Sequence, residues 1–222
     1  LFIRHWSSWE TPGNYSRIFA FDLKDGKIAG EGAALDGDLV GDSPSKPFGG
    51  GEEIAWVPGE AGVFFTLRTA DRNEPRSTNL DLYGAKADGT ETVNYTDNND
   101  ATDTLPAFSS DGEWLAWAAM ERPGYEADRL VVKLRKKGSE EDEAFALTKD
   151  WDRSVGSIVW TPDDKKLIVT AQDVLDHPAF AVDIETGKVT RLTGEGNVGT
   201  TIPLQDGSLI YTMNNLQLPT DL

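Results

Sequence analysis

Cysteine is absent from the 222-residue chain, and histidine and methionine occur only twice each. Without cysteine there is neither a disulfide framework nor a thiolate zinc site. Basic residues are scarce, 21 against 38 acidic ones, which leaves a formal charge of −17. The longest basic run is Arg135-Lys136-Lys137. A chain without a basic face cannot neutralise a phosphate backbone, so nucleic acid is excluded as a partner. No run of about 18 apolar residues occurs, so no helical membrane span and no membrane partner are expected. The chain opens on Leu1-Phe2-Ile3 without a methionine or a signal-peptide pattern. A trimmed chain would lack both, so the compartment is not legible here.

What the chain has is glycine (22), tryptophan (7) and a repeat. Four segments read as strand, acidic or glycine-rich turn, strand. They are Ile54–Thr66, Pro106–Trp117, Ile158–Thr170 and Ile202–Thr212. Their anchor residues Trp56, Phe108, Trp160 and Leu204 stand 52, 52 and 44 residues apart. A second hairpin follows each of the first three, turning at Asp88-Gly89, near Lys137-Gly138 and at Thr186-Gly187, and closing on Thr96, Thr148 and Thr193. Such dipeptides supply the positive φ angles of tight hairpins.

Four strands per unit of roughly 40–50 residues is the period of a β-propeller blade. The inner strands are apolar on both faces, as blades stacked face to face require, and the outer ones alternate. An all-β sandwich also has evenly spaced strands, but gives no reason for an anchor to recur at equal spacing. We therefore expect an all-β chain, an incomplete β-propeller of about four blades of four antiparallel strands, with no helix longer than a turn or two. Residues 46–100, 101–152 and 153–196 read as full blades, 1–45 as a partial blade and 197–222 as half of one. All 222 residues form one partial propeller domain in this reading, and the ends look cut through blades.

Several motifs resemble the prolyl oligopeptidase family of serine peptidases, in its acylaminoacyl-peptidase and dipeptidyl-peptidase 5-like bacterial branch. They are Leu1-Phe2-Ile3-Arg4-His5-Trp6 with Trp9, and Gly41-Asp42-Ser43-Pro44-Ser45-Lys46-Pro47-Phe48-Gly49-Gly50. Two more are Met120-Glu121-Arg122-Pro123-Gly124-Tyr125-Glu126-Ala127-Asp128-Arg129 and Trp151-Asp152-Arg153-Ser154-Val155. One departure is Val57-Pro58-Gly59-Glu60, where the family has Ser-Pro-Asp-Gly. The resemblance spans almost the whole chain and implies the N-terminal propeller of such an enzyme. That propeller would gate short peptides by size for a C-terminal α/β-hydrolase domain of the same protein. It further implies a bacterial periplasm or cytoplasm. A Tol-type propeller that binds a partner protein is the alternative, since blade signatures alone fit it equally well.

No catalytic residue is expected within the chain. The G-x-S-x-G elbow of a serine hydrolase is missing, and the only imidazoles are His5, at an aromatic strand position, and His177, before Pro178 in a surface loop. Gly194-Glu195-Gly196-Asn197-Val198-Gly199 matches G-x-G-x-x-G but runs into a strand pattern, so no cofactor is expected. Asp97-Asn98-Asn99-Asp100 with Asp103 fails the 12-residue calcium pattern, and no metal is expected. Glu140-Glu141-Asp142-Glu143 reads as a solvated hairpin tip.

The substrate-binding candidates lie in the charge-dense segment Glu121–Arg129: Glu126, with Arg122, Tyr125, Asp128 and Arg129 around it. The resemblance implies that a propeller carboxylate holds a peptide's free ammonium by a charge-assisted bond, with Arg122 or Arg129 orienting Glu126. The competing reading is an ion-pair network that fixes the hairpin. Cut blades would expose pairing edges. A preparation of the 222-residue chain free of host protease is therefore expected to show no peptidase turnover. By light scattering at tens of micromolar (on the order of the usual working concentration) it is expected to self-associate, and a monomer would contradict this.

Overall fold

The structure, a computed structural model, describes residues 3–4, 8–9, 11, 13–139 and 143–222. Among them there is no α-helix, and single turns of 3₁₀ helix stand at Gly51–Glu53 and Glu74–Arg76. The chain divides into two compact units, Leu1–Pro106 with Glu121–Glu126, and Ala107–Met120 with Ala127–Leu222.

In the first unit β1 (Ile3–Arg4) pairs with β2 (Ser8–Trp9), and β3 (Phe19–Lys24) with β4 (Lys27–Ala34). Asp25 and Gly26 join the latter pair, both at positive φ (52° and 71°), as a two-residue hairpin matched to strand twist demands. A five-stranded sheet follows, built on β7 (Gly62–Thr69). Its other strands are β5 (Gly41–Asp42), β6 (Ile54–Trp56), β8 (Asp81–Lys86) and β9 (Val93–Asn94). Both β5 and β6 pair with β7, at Arg68–Thr69 and Val63–Phe65 respectively.

Strand β10 (Asp103–Phe108) begins in the first unit and starts the four-stranded sheet that continues with β11 (Trp114–Ala119), β12 (Val131–Lys136) and β13 (Phe145–Ala146). The next sheet repeats that order with β14 (Val155–Trp160), β15 (Lys166–Ala171), β16 (Ala179–Asp183) and β17 (Val189–Arg191). A last ribbon pairs β18 (Asn197–Pro203) with β19 (Leu209–Asn214). These four-stranded antiparallel sheets are the all-β blades expected from the repeat.

The second strand of each full sheet lies deepest. Val63-Phe64-Phe65, Leu115-Ala116-Trp117 and Leu167-Ile168-Val169 are buried on both faces, which is why these strands read as continuous apolar runs rather than alternating ones. In the first unit Val63, Phe65, Leu67 and Tyr83 pack on Ile18 and Leu35. In the second, Ile168 and Ala179 pack on Val198, Leu209, Tyr211 and Met213 of the last ribbon. Fourth strands β13 and β17 are largely open.

The anchors Trp56, Phe108 and Trp160 end the first strands and Leu204 follows β18, but they are not equivalent. Trp160 is buried and its indole N–H donates to the Ala107 carbonyl (3.0 Å), whereas Trp56 is exposed. After Phe108 and Trp160, a hydroxyl locks the turn. Ser109 Oγ accepts the Trp114 N–H (2.9 Å) and donates to Asp111 (2.6 Å). Thr161 Oγ1 does the same with Lys166 (3.0 Å) and Asp163 (2.7 Å).

The closing threonines have one shared task. Backbone N–H groups of Leu82, Val132 and Ala179, near or at the start of the third strands, donate to Oγ1 of Thr96 (3.0 Å), Thr148 (2.9 Å) and Thr193 (3.0 Å). The residue before each threonine donates its own N–H to the carbonyl of the same partner, at 2.8 Å in all three. All three threonines are buried, so the hydroxyl satisfies a donor that no water reaches.

The resemblance motifs are built into this framework. Within Gly41–Gly50 the peptide bonds before Pro44 and Pro47 are cis. Buried Ser45 donates its N–H and Oγ–H to Glu53 (2.7 and 2.6 Å), and buried Asp42 takes the Ser16 N–H (2.7 Å) and pairs with Lys46 (2.7 Å). Burial nevertheless pushes the Glu53 carboxyl above its ordinary pKa. Gly49 cannot be replaced without movement, since a Cβ there would lie 2.5 Å from both Glu53 and the Ser45 carbonyl. Thr148→Val keeps the volume and strands the Val132 N–H, so it is expected to cost about 1–3 kcal/mol of unfolding free energy, read from urea denaturation.

Candidate functional site

Loop length singles out one end of each sheet. First-to-second strand connections are short, at residues 57–61, 109–113 and 161–165. Second-to-third connections are longer, at residues 70–80, 120–130 and 172–178. Elaborated loops on a rigid scaffold are where binding groups gather.

In the first unit this connection walls a cleft of about 520 Å³, lined by Arg68, Asp71, Glu74, Arg76, Asn79 and Asp100 among others. Arg68, near the end of β7, places its guanidinium on the buried Glu74 carboxylate (2.8 Å) and the Ser77 carbonyl (2.9 Å). Asp71 Oδ1 accepts the N–H groups of Asn73 (2.7 Å) and Glu74 (2.9 Å), starting the 3₁₀ turn in which Pro75 has no N–H to satisfy. Below the rim the Asn79 amide donates to Asp81 Oδ2 (3.3 Å). Asp81 is only 6% exposed, and burial pushes its pKa up to about 6. Asn79 Oδ1 and Asp81 Oδ1 are buried acceptors with no hydrogen-bond partner among the described residues.

The segment singled out in the sequence meets this cleft through Pro123 and Gly124. The Gly124 N–H donates to Thr78 Oγ1 (2.9 Å), tying the loop to the first unit. Arg122 and Tyr125 come together, the guanidinium carbon 4.2 Å from the ring centroid. Arg122, Tyr125 and Glu126 stand outside the cleft lining. Glu126 is exposed and makes no hydrogen bond or ion pair among the described residues. Asp128 and Arg129 belong to the second unit, where the Arg129 guanidinium donates to the carbonyls of Lys149 (2.7 Å) and Trp151. That arginine clamps the chain as it leaves β13.

Sequence reasoning missed the cleft residues Arg68, Arg76 and Asn79, and weighed Asp100 only as part of a calcium pattern. A usable signal was Asp71-Arg72-Asn73-Glu74-Pro75-Arg76, with an Asx cap, a proline in the first turn and four charges in six residues. His177 is half-buried rather than on the surface. Its N–H donates to the Gly196 carbonyl (3.0 Å), and Nδ1 lies 3.1 Å from the Val198 carbonyl. After Gly196 the chain enters β18 and not a helix, so the phosphate cradle of a G-x-G-x-x-G loop is not built. Asn99 caps locally, donating to Asp103 (2.6 Å) and accepting the Ala101 N–H (3.2 Å). Among the described residues no three His, Cys, Asp or Glu side chains cluster as metal ligands. His5 and Glu140–Asp142 lie outside the described residues.

No protein-family model matches the chain. Dipeptidyl-peptidase 5 of Aspergillus fumigatus is 30% identical over 96% of the chain and 32% of its own length. Dipeptidyl-peptidase 5 of Porphyromonas gingivalis is 27% identical over 100% of the chain and 32% of its own length. The chain thus spans about a third of the length of these curated relatives. Among solved structures, a TolB-type protein of Agrobacterium tumefaciens superposes with a TM-score of 0.64 at 11% identity, covering 85% of this chain and 60% of that one. The β-propeller domain of the Trilobed protease from Pyrococcus furiosus gives 0.57 at 13% identity, covering 78% and 52%.

The fold is therefore that of a β-propeller. Over nearly its whole length the chain is homologous to one part of dipeptidyl-peptidase 5.

Asp81 gives this region a pH signature. A buried carboxyl whose pKa is raised contributes stability below about pH 4, and that contribution is lost as pH rises through about 6. Unfolding free energy of the wild type is expected to fall by up to about 3 kcal/mol relative to Asp81→Asn across that window. Parallel pH profiles of the two proteins would contradict it.

Proposed function

We propose that the chain is the non-catalytic propeller of a serine exopeptidase or oligopeptidase, gating and helping to bind short peptides for a C-terminal α/β-hydrolase domain of the same polypeptide. The observation that carries this reading is homology to dipeptidyl-peptidase 5 along 96–100% of the chain. A propeller wall excludes folded proteins by size and admits extended peptides. Its net charge of −17 attracts a peptide's amino end, within the roughly 8–10 Å that salt screening allows.

Glu126 is the residue we assign to the peptide ammonium. Its carboxylate is exposed and bears no partner among the described residues, so it keeps its full capacity for a charge-assisted bond. The Arg122–Tyr125 stack, which ends at the residue just before Glu126, stiffens the loop that carries it. Arg129 is spent on the Lys149 and Trp151 carbonyls and does not orient Glu126.

A second reading, a TolB-like propeller that binds a partner protein, draws on the TM-score of 0.64 to the TolB-type structure. The gene distinguishes the two: a G-x-S-x-G elbow encoded beyond Leu222 favours the peptidase, and a stop codon favours the binder. In the full enzyme, Glu126→Gln is expected to lower kcat/KM for a free-amine dipeptide substrate by about tenfold or more, while an N-acylated analogue is unaffected. Equal values for both variants on the free amine would remove Glu126 from the site.

A further inference from the structure

The connection between β15 and β16 ends in an apolar tip that the second unit leaves uncovered. Val174 and Leu175 are 83% and 89% exposed. Asp173 and Asp176 pair across the turn, each N–H donating to the other's carbonyl (2.8 and 3.1 Å), so only these two residues form the tip. Val174 sits at φ +60°, a conformation glycine or asparagine adopts readily and a β-branched residue resists. Both the exposure and the backbone oppose the choice of residue.

The base of the hairpin is held from several directions. Asp173 bridges two guanidinium groups, Oδ1 on Arg153 (3.0 Å) and Oδ2 on Arg191 (2.9 Å). Asp176 Oδ2 meets Arg191 (3.1 Å) and its Oδ1 accepts the Gly196 N–H (2.9 Å). The Gln172 amide donates to the Val174 carbonyl itself (3.0 Å). The result is a fixed apolar knob ringed by two carboxylates and two guanidinium groups. An apolar centre inside a polar rim is the anatomy of an interface hot spot.

We propose that Val174-Leu175 docks into an apolar pocket on the catalytic part of the same polypeptide. This rests on the peptidase reading above. Two observations choose that occupant. The relatives matched over the whole chain are about three times as long, so in them a larger body shares the polypeptide. The tip also lies on the second-to-third strand connection, the one that lines the cleft in the first sheet and carries Arg122–Arg129 in the next. A rigid knob suits docking because no loop entropy is lost on contact.

The test uses the full-length polypeptide with Val174→Asn/Leu175→Ser, in which asparagine suits the positive φ and the unit keeps its fold. Limited proteolysis between propeller and hydrolase is expected to accelerate about tenfold or more, with the urea midpoint of the 222-residue chain not lowered. Unchanged proteolysis in a polypeptide that carries a hydrolase domain overturns the docking and spares the peptidase reading. A gene that encodes no hydrolase overturns both. Loss of self-association in the 222-residue chain, with full-length proteolysis unchanged, makes a second copy the occupant and also overturns it.

Discussion

Each full sheet is closed by one buried hydrogen bond, from a third-strand N–H to a threonine hydroxyl after the fourth strand. At Leu82–Thr96, Val132–Thr148 and Ala179–Thr193 the distance stays within 2.9–3.0 Å. The first residues of the third strand emerge from the long connection with a donor that the outer strand, only two or three residues long, cannot reach. An unpaired amide at that depth would cost more than the bond itself returns. The hydroxyl satisfies the amide, and the residue before it repeats the pairing through its own backbone. Short outer strands are tolerated because this clamp stands in for the missing ladder.

With the outer edge fixed, the second strand can be buried on both faces and the loops on one end can lengthen without loosening the sheet. Most charge on those loops is internal. Arg68 is used on Glu74, Arg129 on two carbonyls, and Arg153 and Arg191 on Asp173 and Asp176. These pairs position loops more than they stabilise the fold, since exposed ion pairs are worth little and buried ones offset their own desolvation. Glu126 and the Val174-Leu175 tip, by contrast, are left exposed on these loops.

The strand repeat was legible because its causes are local. Asp25-Gly26 forms the hairpin that its φ requirement dictates, the double-sided apolar runs mark the central strands, and Thr96, Thr148 and Thr193 recur at the closing position. The Trp56 anchor was read as equivalent to Trp160, yet one is exposed and the other is buried and bonded to Ala107. The cleft was not legible, because Arg68, Asn79, Asp100 and Pro123 are brought together by pairing between distant strands. Gly41–Gly50 and Trp151–Val155 stood out as motifs, and the structure assigns them framework tasks: Ser45 on Glu53, Arg153 on Asp173, and Trp151 edge-on to Phe180 (4.9 Å).

By itself the sequence determined the architecture, in its period, turn positions and central strands, and the acidic balance of charge. Those follow from steric rules and hydrophobic patterning that act over a few residues. Only the tertiary structure decided which charges are committed and which are available. Arg129 and Glu126 look alike as loop charges, and their different fates depend on the carbonyls of Lys149 and Trp151, some twenty residues away in the chain. Val174 and Leu175 are likewise turned out into solvent by the Asp173–Asp176 pairing.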